Sequence, residues 1–337
     1  MVKRVGNLMP LIADRENLRE AFLRAAKDKR DRSAVVDFRN NLDHNIELMH
    51  TELSEGTYMM GGYHFFTIYE PKERKICAAT FRDRVMFHAV MRVCQDMFER
   101  YQISDSYACR KGKGQYKALE RARTLAAKYA WYAKIDMVHY FDSIEHKILL
   151  GQLARRFKDP RLLLLFRNLL DTYEADTDRG LPIGNLTSQF FANHYLAVAD
   201  RYAKQVIHIK AFVRYMDDVI IFAHRKQELM DNMRAYTDFV HDRLKLNTHD
   251  AVVGRTEHGI NFLGYVVCPN HMKLTRRSRD RYTKKMMELT RLVNCGYISQ
   301  NEYAVRATCL TAFVSKAATA HLRNRLINKR ALQLYGV

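Results

Sequence analysis

Several features that would indicate other classes of protein are missing from this sequence of 337 residues. Its six cysteines never form a Cys-x-x-Cys pair, so neither a zinc site nor a disulfide framework is indicated. No apolar run is longer than the five residues 162–166, whereas a membrane-spanning helix needs about 20. The first ten residues lack the apolar core of a signal peptide, and no repeat or low-complexity tract occurs. We therefore expect a globular cytoplasmic protein with free thiols and no membrane partner.

Acidic residues are also scarce relative to basic ones. The chain has 37 Asp and Glu against 56 Lys and Arg, which gives a net charge of +19. Residues 270–337 alone contain 14 Lys and Arg but only 3 Asp and Glu. Lys and Arg in such excess mainly neutralise phosphates, so the composition indicates a nucleic acid partner. A basic surface that only aids solvation is the alternative that composition leaves open.

Two neighbouring aspartates occupy the centre of the sequence FVRYMDDVIIF at residues 212–222. Apolar and β-branched residues on both sides predict two short strands joined by a tight turn that carries Asp217 and Asp218. Aspartate is also a common turn former, so this pattern alone is compatible with a purely structural turn. Upstream, the strand-like run WYAKID ends in Asp136. Three carboxylates at strand ends repel one another unless cations such as Mg²⁺ neutralise them. Two such ions would form the clamp used for in-line attack at phosphorus, which predicts polynucleotide synthesis.

The other segments have simpler patterns. Residues 61–71 and the ERKICAAT run predict a hairpin with a basic tip that includes Lys72 and Arg74. Residues 85–101 and 227–246 have helical periodicity, and the apolar stretch 149–170 predicts an interior helix. The GKG of the loop 105–114 lacks the Walker spacing, which excludes a nucleoside triphosphatase loop of that type.

The Tyr-Met-Asp-Asp motif between apolar strands, preceded by an Asp-x4-Phe motif from Asp136 to Phe141, resembles the palm of the reverse transcriptases. Further segments resemble that family in the expected order, and together they cover about residues 60–275: ERKICAATFRDRV, DSYACRKGKG, LPIGNLTSQ and NFLGY. Most reverse transcriptases have Gln-Gly…Ser-Pro where this chain has Ile-Gly…Ser-Gln, at 183–184 and 188–189. That departure, with the SYACRKGKG stretch, is similar to the reverse transcriptases of diversity-generating retroelements.

The resemblance implies an α+β right-hand polymerase of fingers, palm and thumb, with an antiparallel palm sheet that carries the Tyr-Met-Asp-Asp turn. It implies the following division of the chain: a helical extension at 1–60, fingers at 61–130 with 181–195 returning to the nucleotide pocket, a palm at 131–268 and a basic helical thumb at 269–337.

The resemblance also implies roles for individual residues. The catalytic residues would be Asp136, Asp217 and Asp218, which with Met137 would hold two Mg²⁺ ions, or Mn²⁺ in their place. The residues implied for nucleotide binding are Lys72, Arg74, Tyr140, Phe141, Ile183, Gly184 and Gln189. Those implied for template and primer are Arg110, Lys111, Lys113, Tyr215, Met216, Phe262, Leu263, Gly264, Arg276, Arg277 and Arg279. Phe141 would exclude ribonucleotides by a clash with the 2′-hydroxyl, and His249 is a candidate proton donor to pyrophosphate.

The implied function is an RNA-directed DNA polymerase that makes cDNA from a template RNA and dNTPs, with errors at template adenines. It would be encoded by a bacterium or phage and act with a small basic accessory protein oligomer. The alternative is a retron, group II intron-like or defence-associated reverse transcriptase. A non-catalytic RNA-binding scaffold is a third possibility, against which the intact set of three aspartates argues.

Overall fold

The computed structural model describes residues 4–69, 73–173 and 175–326. Its helices are α1 (Met9–Ala13), α2 (Arg15–Ala26), α3 (Ser33–Asn40), α4 (Leu42–Glu55), α5 (Phe81–Tyr101), α6 (Gln115–Lys128), α7 (His146–Ala154), α8 (Pro160–Asp171), α9 (Leu186–Gln205), α10 (Lys226–Leu244), α11 (Arg276–Asn294) and α12 (Gln300–Val314). Its strands are β1 (Tyr63–Ile68), β2 (Arg74–Ala79), β3 (Trp131–Ile135), β4 (Ala211–Tyr215), β5 (Asp218–Ala223), β6 (Val252–Arg255), β7 (Ile260–Phe262), β8 (Tyr265–Val267) and β9 (Met272–Leu274). None of the helices in these ranges is long and apolar enough to cross a membrane.

Helices α1, α2 and α3 pack against α5, α4 packs against α1 and α2, and all four share the main core of the molecule. Phe22 of α2 stacks on Phe38 of α3 with ring centroids 5.6 Å apart, and both rings meet Phe81 of α5 edge to face. The buried residues of these helices belong to the same apolar cluster as those of the central sheet. Helix α5 begins four residues before the helical pattern seen in the sequence, because Thr80 caps it by accepting a hydrogen bond from the Asp83 amide.

The predicted interior helix at 149–170 is wrong as a single element. The structure has two helices, α7 and α8, separated by residues 155–159. The Asp159 side chain accepts hydrogen bonds from the amides of Arg161 and Leu162 and so caps α8, whose first residue is Pro160. Proline is favoured in the first turn of a helix but not in its interior, so the chain breaks there.

The central sheet has four antiparallel strands in the order β4-β5-β3-β6. Successive residues of β5 belong to different apolar clusters: Val219 and Ile221 to the main core, Ile220 and Phe222 to a second core with α6. Both faces of β5 are therefore covered, which explains why its sequence is continuously apolar rather than alternating. The predicted pair of strands around the two aspartates is confirmed.

Two smaller sheets flank this centre. The first is the predicted hairpin of β1 and β2, with a register from Tyr63 opposite Ala79 to Ile68 opposite Arg74. The second contains β7, β8 and β9 and leads into α11 and α12, which form a small core of their own. Phe313 and Leu274 pack against both this core and the second core of the central sheet, so they join the C-terminal helices to the rest of the molecule.

Candidate active site

The three predicted catalytic aspartates lie at one edge of the central sheet. Asp136 directly follows β3, whose last pair with β5 joins Ile135 to Val219. Continuing that antiparallel register by one residue sets Asp136 opposite Asp218, the first residue of β5. Asp217 occupies the turn between β4 and β5. All three side chains line a single cleft of about 1060 Å³.

The turn that carries Asp217 has an unusual backbone. Tyr215 pairs with Asp218, so Met216 and Asp217 form a two-residue hairpin turn. Met216 has φ 55°, a left-handed conformation that few residues other than glycine adopt. The Arg214 Nη1 donates a hydrogen bond of 2.9 Å to the Met216 carbonyl oxygen. Backbone strain of this kind persists where the surroundings hold it, and it is concentrated at functional sites.

The electrostatics of the cleft favour a bound cation. Burial raises the pKa of Asp217 to about 6, and the charges of Asp218 and Asp136 add to the increase, while Arg74 opposes it. Lys134 lies on β3 two residues before Asp136, and its Nζ is 2.9 Å from Asp218 Oδ1. A partly buried carboxylate beside two others is costly in its charged form, and a divalent cation lowers that cost.

The side chains at this edge of the sheet are of the type that binds a hard divalent ion. Carboxylate oxygens are the ligands that Mg²⁺ prefers. Within the described ranges, no three His, Cys, Asp or Glu side chains already have the arrangement that holds a metal ion. Met137 also lines the cleft, but its side chain is buried, so only its main chain is suited to contact an ion. Asp136, Asp217 and Asp218 are therefore the residues that we expect to hold metal through their side chains.

One wall of the cleft contains most of the residues that were predicted to bind nucleotide. Tyr140 is buried and its hydroxyl donates to the Ala192 carbonyl, while the partly exposed ring of Phe141 lies at right angles to it, 5.9 Å between centroids. The Phe141 carbonyl accepts a hydrogen bond from Leu181, which starts the segment containing Ile183 and Gly184. Tyr140, Phe141, Ile183, Gly184 and Gln189 all line the cleft.

The Ile183 and Gly184 segment is fixed to the first hairpin. The Cys77 amide donates a 2.8 Å hydrogen bond to the Ile183 carbonyl. Gly184 has φ +124°, and a Cβ placed there would lie 3.1 Å from the Cys77 carbonyl oxygen. The positive φ and the close approach both favour glycine at this position. Ile183 is partly exposed and lines the cleft.

The first hairpin contributes two basic residues to the lining of the cleft. Arg74 and Lys75 of β2 line the cleft together with Phe65 of β1, and the Lys75 ammonium lies 4.4 Å from the centre of the Phe65 ring. Lys72, the other predicted phosphate ligand, lies outside the described residues. Arginine binds phosphate oxygens in bidentate fashion, so this lining is suited to a triphosphate.

The residues predicted to contact template and primer are distributed over several surfaces. Tyr215, Met216 and Leu263 line the cleft. Lys111 is exposed on the 105–114 loop, and Lys113 donates to the Ser104 carbonyl.

The remaining members of that set are less accessible or lie further away. The Arg110 guanidinium is occupied by Glu99 and by the Ile103 and Ser106 carbonyls, which indicates that it holds its loop together. Phe262 is buried, and Gly264 has φ +86° and faces Phe313. The predicted contacts Arg276, Arg277 and Arg279 lie on α11, outside the residues that line the cleft.

Two residues of the site were not found from the sequence. Lys134 lies on the same strand face as Asp136, because side chains alternate along a strand. The spacing of two residues could therefore have predicted that Lys134 is near the aspartates. Arg214 is a charged residue within the apolar strand β4, which was a signal for a buried partner. Its partner, Asp200, lies on α9 and had no mark in the sequence that set it apart.

The chain matches known proteins over most of this region. A profile of the family described as reverse transcriptase (RNA-dependent DNA polymerase) matches residues 70–267. Protein YkfC of Escherichia coli (strain K12) is 23% identical over 220 residues, which cover 59% of this chain and 57% of that protein. The group II intron-encoded protein LtrA of Lactococcus lactis subsp. cremoris is 26% identical over 141 residues, 40% of this chain and 24% of the relative.

A putative COX1/OXI3 intron 1 protein of Saccharomyces cerevisiae is 22% identical over 215 residues, 61% of this chain and 25% of the relative. The chain thus spans about a quarter of the length of the Lactococcus and yeast proteins. The family match covers more than half of the chain and contains all three aspartates, and the antiparallel sheet with its flanking helices confirms the predicted right-hand polymerase fold. The chain belongs to the reverse transcriptase (RNA-dependent DNA polymerase) family.

Proposed function

We propose that this chain is an RNA-directed DNA polymerase that extends a primer on a template RNA with dNTPs. The observation that carries the proposal is the cleft that brings Asp136, Asp217 and Asp218 together with Arg74 and Lys75 of the first hairpin. Carboxylates that can hold metal and an arginine that lines the same cleft are what a metal-bound triphosphate requires.

Each wall of the cleft has a separate task in this proposal. Two Mg²⁺ ions held by the aspartates would supply the activation of the primer 3′-hydroxyl and the neutralisation of pyrophosphate. Arg74 binds the phosphates of the incoming nucleotide, and Gly184 lets its segment pack closely against the hairpin next to that nucleotide. The ring of Phe141 excludes a ribose 2′-hydroxyl. Tyr215, Met216 and Leu263 are placed to contact the primer end.

The proposal is tested by primer extension with purified protein, a DNA primer annealed to RNA, dNTPs and Mg²⁺. We expect incorporation directed by the RNA sequence, and its loss when EDTA replaces Mg²⁺ or NTPs replace dNTPs. The same primer on a DNA template is the matched control for template choice. No templated incorporation on RNA under conditions where the protein binds the duplex would contradict the proposed activity.

Within the family, we propose the diversity-generating type, which acts in a bacterium or a phage host with a small basic accessory protein oligomer. The support is the Ile-Gly…Ser-Gln pattern, which sets Ile183 and Gln189 in the cleft. The relatives named after introns support a group II intron-like enzyme equally well. The two alternatives differ in fidelity, since the first requires errors concentrated at template adenines.

Ile183 is the residue that tests this choice. Most family members have a glutamine at this place, whose amide can hydrogen-bond near the nucleotide, and isoleucine cannot do so. Because selectivity is a difference in free energy, about 1.4 kcal/mol changes it tenfold. We expect Ile183→Gln to lower errors opposite template adenine more than opposite the other bases, whereas the apolar control Ile183→Leu leaves the pattern unchanged. Sequencing of cDNA made by each protein measures this, and equal errors at all four template bases in the parent would contradict the diversity-generating type.

A further inference from the structure

Arg214 is a fully buried arginine two residues before the catalytic turn. Its side chain and that of Asp200, on α9, are both inaccessible to solvent and form an ion pair with an Nη2 to Oδ2 distance of 2.6 Å. Nε also lies 2.8 Å from each carboxylate oxygen of Asp200. A buried ion pair of this kind is weak evidence for stability, because apolar residues of similar volume often serve as well. Another reason for its presence is needed.

The remaining donors of Arg214 reach three different parts of the fold. Nη1 donates to the Asn193 side-chain oxygen at 2.7 Å and to the Met216 carbonyl at 2.9 Å. Nη2 donates to the Gln102 side-chain oxygen at 3.1 Å and to the Asn193 carbonyl at 3.2 Å. With Nε on Asp200, every N–H of the guanidinium has an acceptor, and no lysine could reproduce this planar arrangement.

The acceptor on the catalytic turn is the important one. The Met216 carbonyl and the Asp217 amide belong to the same planar peptide group, so fixing the carbonyl fixes the orientation from which the Asp217 side chain departs. Met216 itself is in the left-handed region, which a methionine leaves readily unless it is held. The hydrogen bond from Arg214 is therefore placed to hold the strained residue.

The main chain of Arg214 extends the same restraint to the neighbouring loop. Its amide donates to the Asp105 carbonyl and its carbonyl accepts from the Tyr107 amide, both at 2.9 Å. Asn193 donates through Nδ2 to the Ala108 carbonyl at 2.9 Å. Turn, loop and α9 are thus fixed to one buried guanidinium.

We propose that Arg214, held by Asp200, is a positioning residue that keeps the peptide between Met216 and Asp217 in its catalytic orientation. The proposal rests on the polymerase function proposed above. It places the effect of Arg214 on the rate of the chemical step and on metal use, and not on the binding of nucleic acid.

The test uses the double variant Arg214→Met/Asp200→Leu, which removes both charges and so leaves no buried ion without a partner. We expect cooperative thermal unfolding and unchanged affinity for a primer–template duplex. Because small misplacement of a catalytic group costs about 10²-fold in rate, we expect kcat to fall by about that factor with KM for dNTP nearly unchanged. The half-saturating Mg²⁺ concentration should rise. Arg214→Lys keeps the positive charge but loses the planar set of five N–H donors, so it should lower kcat by less than the double variant does.

A rescue experiment separates positioning from general support of the fold. Glycine adopts positive φ without strain, so Met216→Gly in the double-variant background should recover part of kcat. Met216→Ala removes the same side chain but keeps the strain, and it should recover nothing. Equal recovery by both, or wild-type kcat and Mg²⁺ dependence in the folded double variant, would overturn the proposal. If the double variant does not fold, Arg214→Lys alone decides, and unchanged kcat and Mg²⁺ dependence in it would overturn the proposal.

Failure of the polymerase function would look different. In that case the wild-type protein itself would not extend a primer. Mg²⁺ binding, measured by calorimetry, would then be compared between the variants in place of the extension rate. The positioning role then predicts weaker Mg²⁺ binding by the double variant than by wild type, and equal binding would contradict it.

Discussion

The partly buried carboxylate of Asp217 links metal binding to pH. Burial, with Asp218 and Asp136 nearby, raises its pKa to about 6, above the ordinary value of 3.8. The folded protein therefore favours the protonated form, so in the absence of metal this group stabilises the fold below about pH 4 and loses that contribution as pH rises through 6. A cation that binds the ionised form restores stability above pH 6.

We therefore expect Mg²⁺ to raise the melting temperature of the protein more at pH 7.5 than at pH 5. Protons compete with the metal for Asp217, so the half-saturating Mg²⁺ concentration should increase at low pH. Differential scanning fluorimetry over this range measures both effects, with Asp217→Asn as the control that should lose most of the Mg²⁺ response. An equal Mg²⁺-induced shift at the two pH values would contradict the assignment.

We expect replacement of Phe141 to change nucleotide selection more than stability. Its ring is partly exposed in the cleft, so Phe141→Ala should cost less stability than the ~3–5 kcal/mol of a fully buried phenylalanine. The variant should admit ribonucleotides, because the space that a 2′-hydroxyl needs becomes free. Comparing incorporation of dATP and ATP measures the effect, and Phe66→Ala, an exposed phenylalanine of β1 outside the cleft lining, is the matched control. An unchanged ratio with a lower melting temperature would mean that Phe141 only packs.

Some residues of the site could be predicted from the sequence and others could not. Asp136 and Asp217 could be predicted because carboxylates that cluster at the ends of apolar strands are costly unless they bind a cation. Arg214 could not be given a role, because its importance depends on Asp200 and on the Met216 carbonyl, and neither contact leaves a pattern in the chain. Lys134 was missed although its spacing from Asp136 was visible, since an ion pair with Asp218 depends on the pairing of two strands.

At the scale of secondary-structure elements, local signals predicted which elements form better than where they begin and end. The alternating and apolar runs around 63–79 and 211–223 predicted both hairpins. Helix α10 follows its predicted range closely and ends where Lys245 turns left-handed. The break between α7 and α8 was missed because leucine periodicity hid the proline at position 160, although proline there indicated a helix start.

Helix α11 carries a prediction about salt. Arg276 has 90% of its side chain exposed, and its contact with Asp280 is a loose 3.7 Å ion pair, so its charge remains available to a phosphate. The binding constant for nucleic acid falls as the salt concentration rises, and each side chain that neutralises a phosphate makes the plot of its logarithm against the logarithm of salt steeper. Removal of one such cation should make this slope less negative by about 0.7–0.9. We expect Arg276→Gln/Arg277→Gln/Arg279→Gln to flatten this slope for an RNA–DNA duplex, as measured by fluorescence anisotropy. The control replaces Arg15, Arg19 and Arg39 of the N-terminal helices with Gln, and an identical decrease there would remove the case for α11.

At the scale of the whole molecule, the N-terminal helices and the central sheet share one core, whereas α11 and α12 have a small core of their own. Composition predicted the basic character of the C-terminal region. No local pattern predicts that Phe22, Phe38 and Phe81 assemble into one aromatic cluster that shares a core with the central sheet. Such contacts join distant parts of the chain, and their geometry follows from the packing of the complete fold.

We propose that Asp136, Asp217 and Asp218 together form the metal-dependent centre for templated DNA synthesis. The most direct measurement is single-turnover primer extension on RNA with Asp217→Asn and Asp136→Asn, beside Asp242→Asn as a control on an exposed part of α10. Asparagine keeps the shape of the side chain but removes the negative ligand that Mg²⁺ needs. We expect both variants to bind the duplex like wild type and to lose Mg²⁺-dependent extension, while Asp242→Asn keeps it. Near-normal extension by Asp217→Asn or Asp136→Asn would contradict the claim.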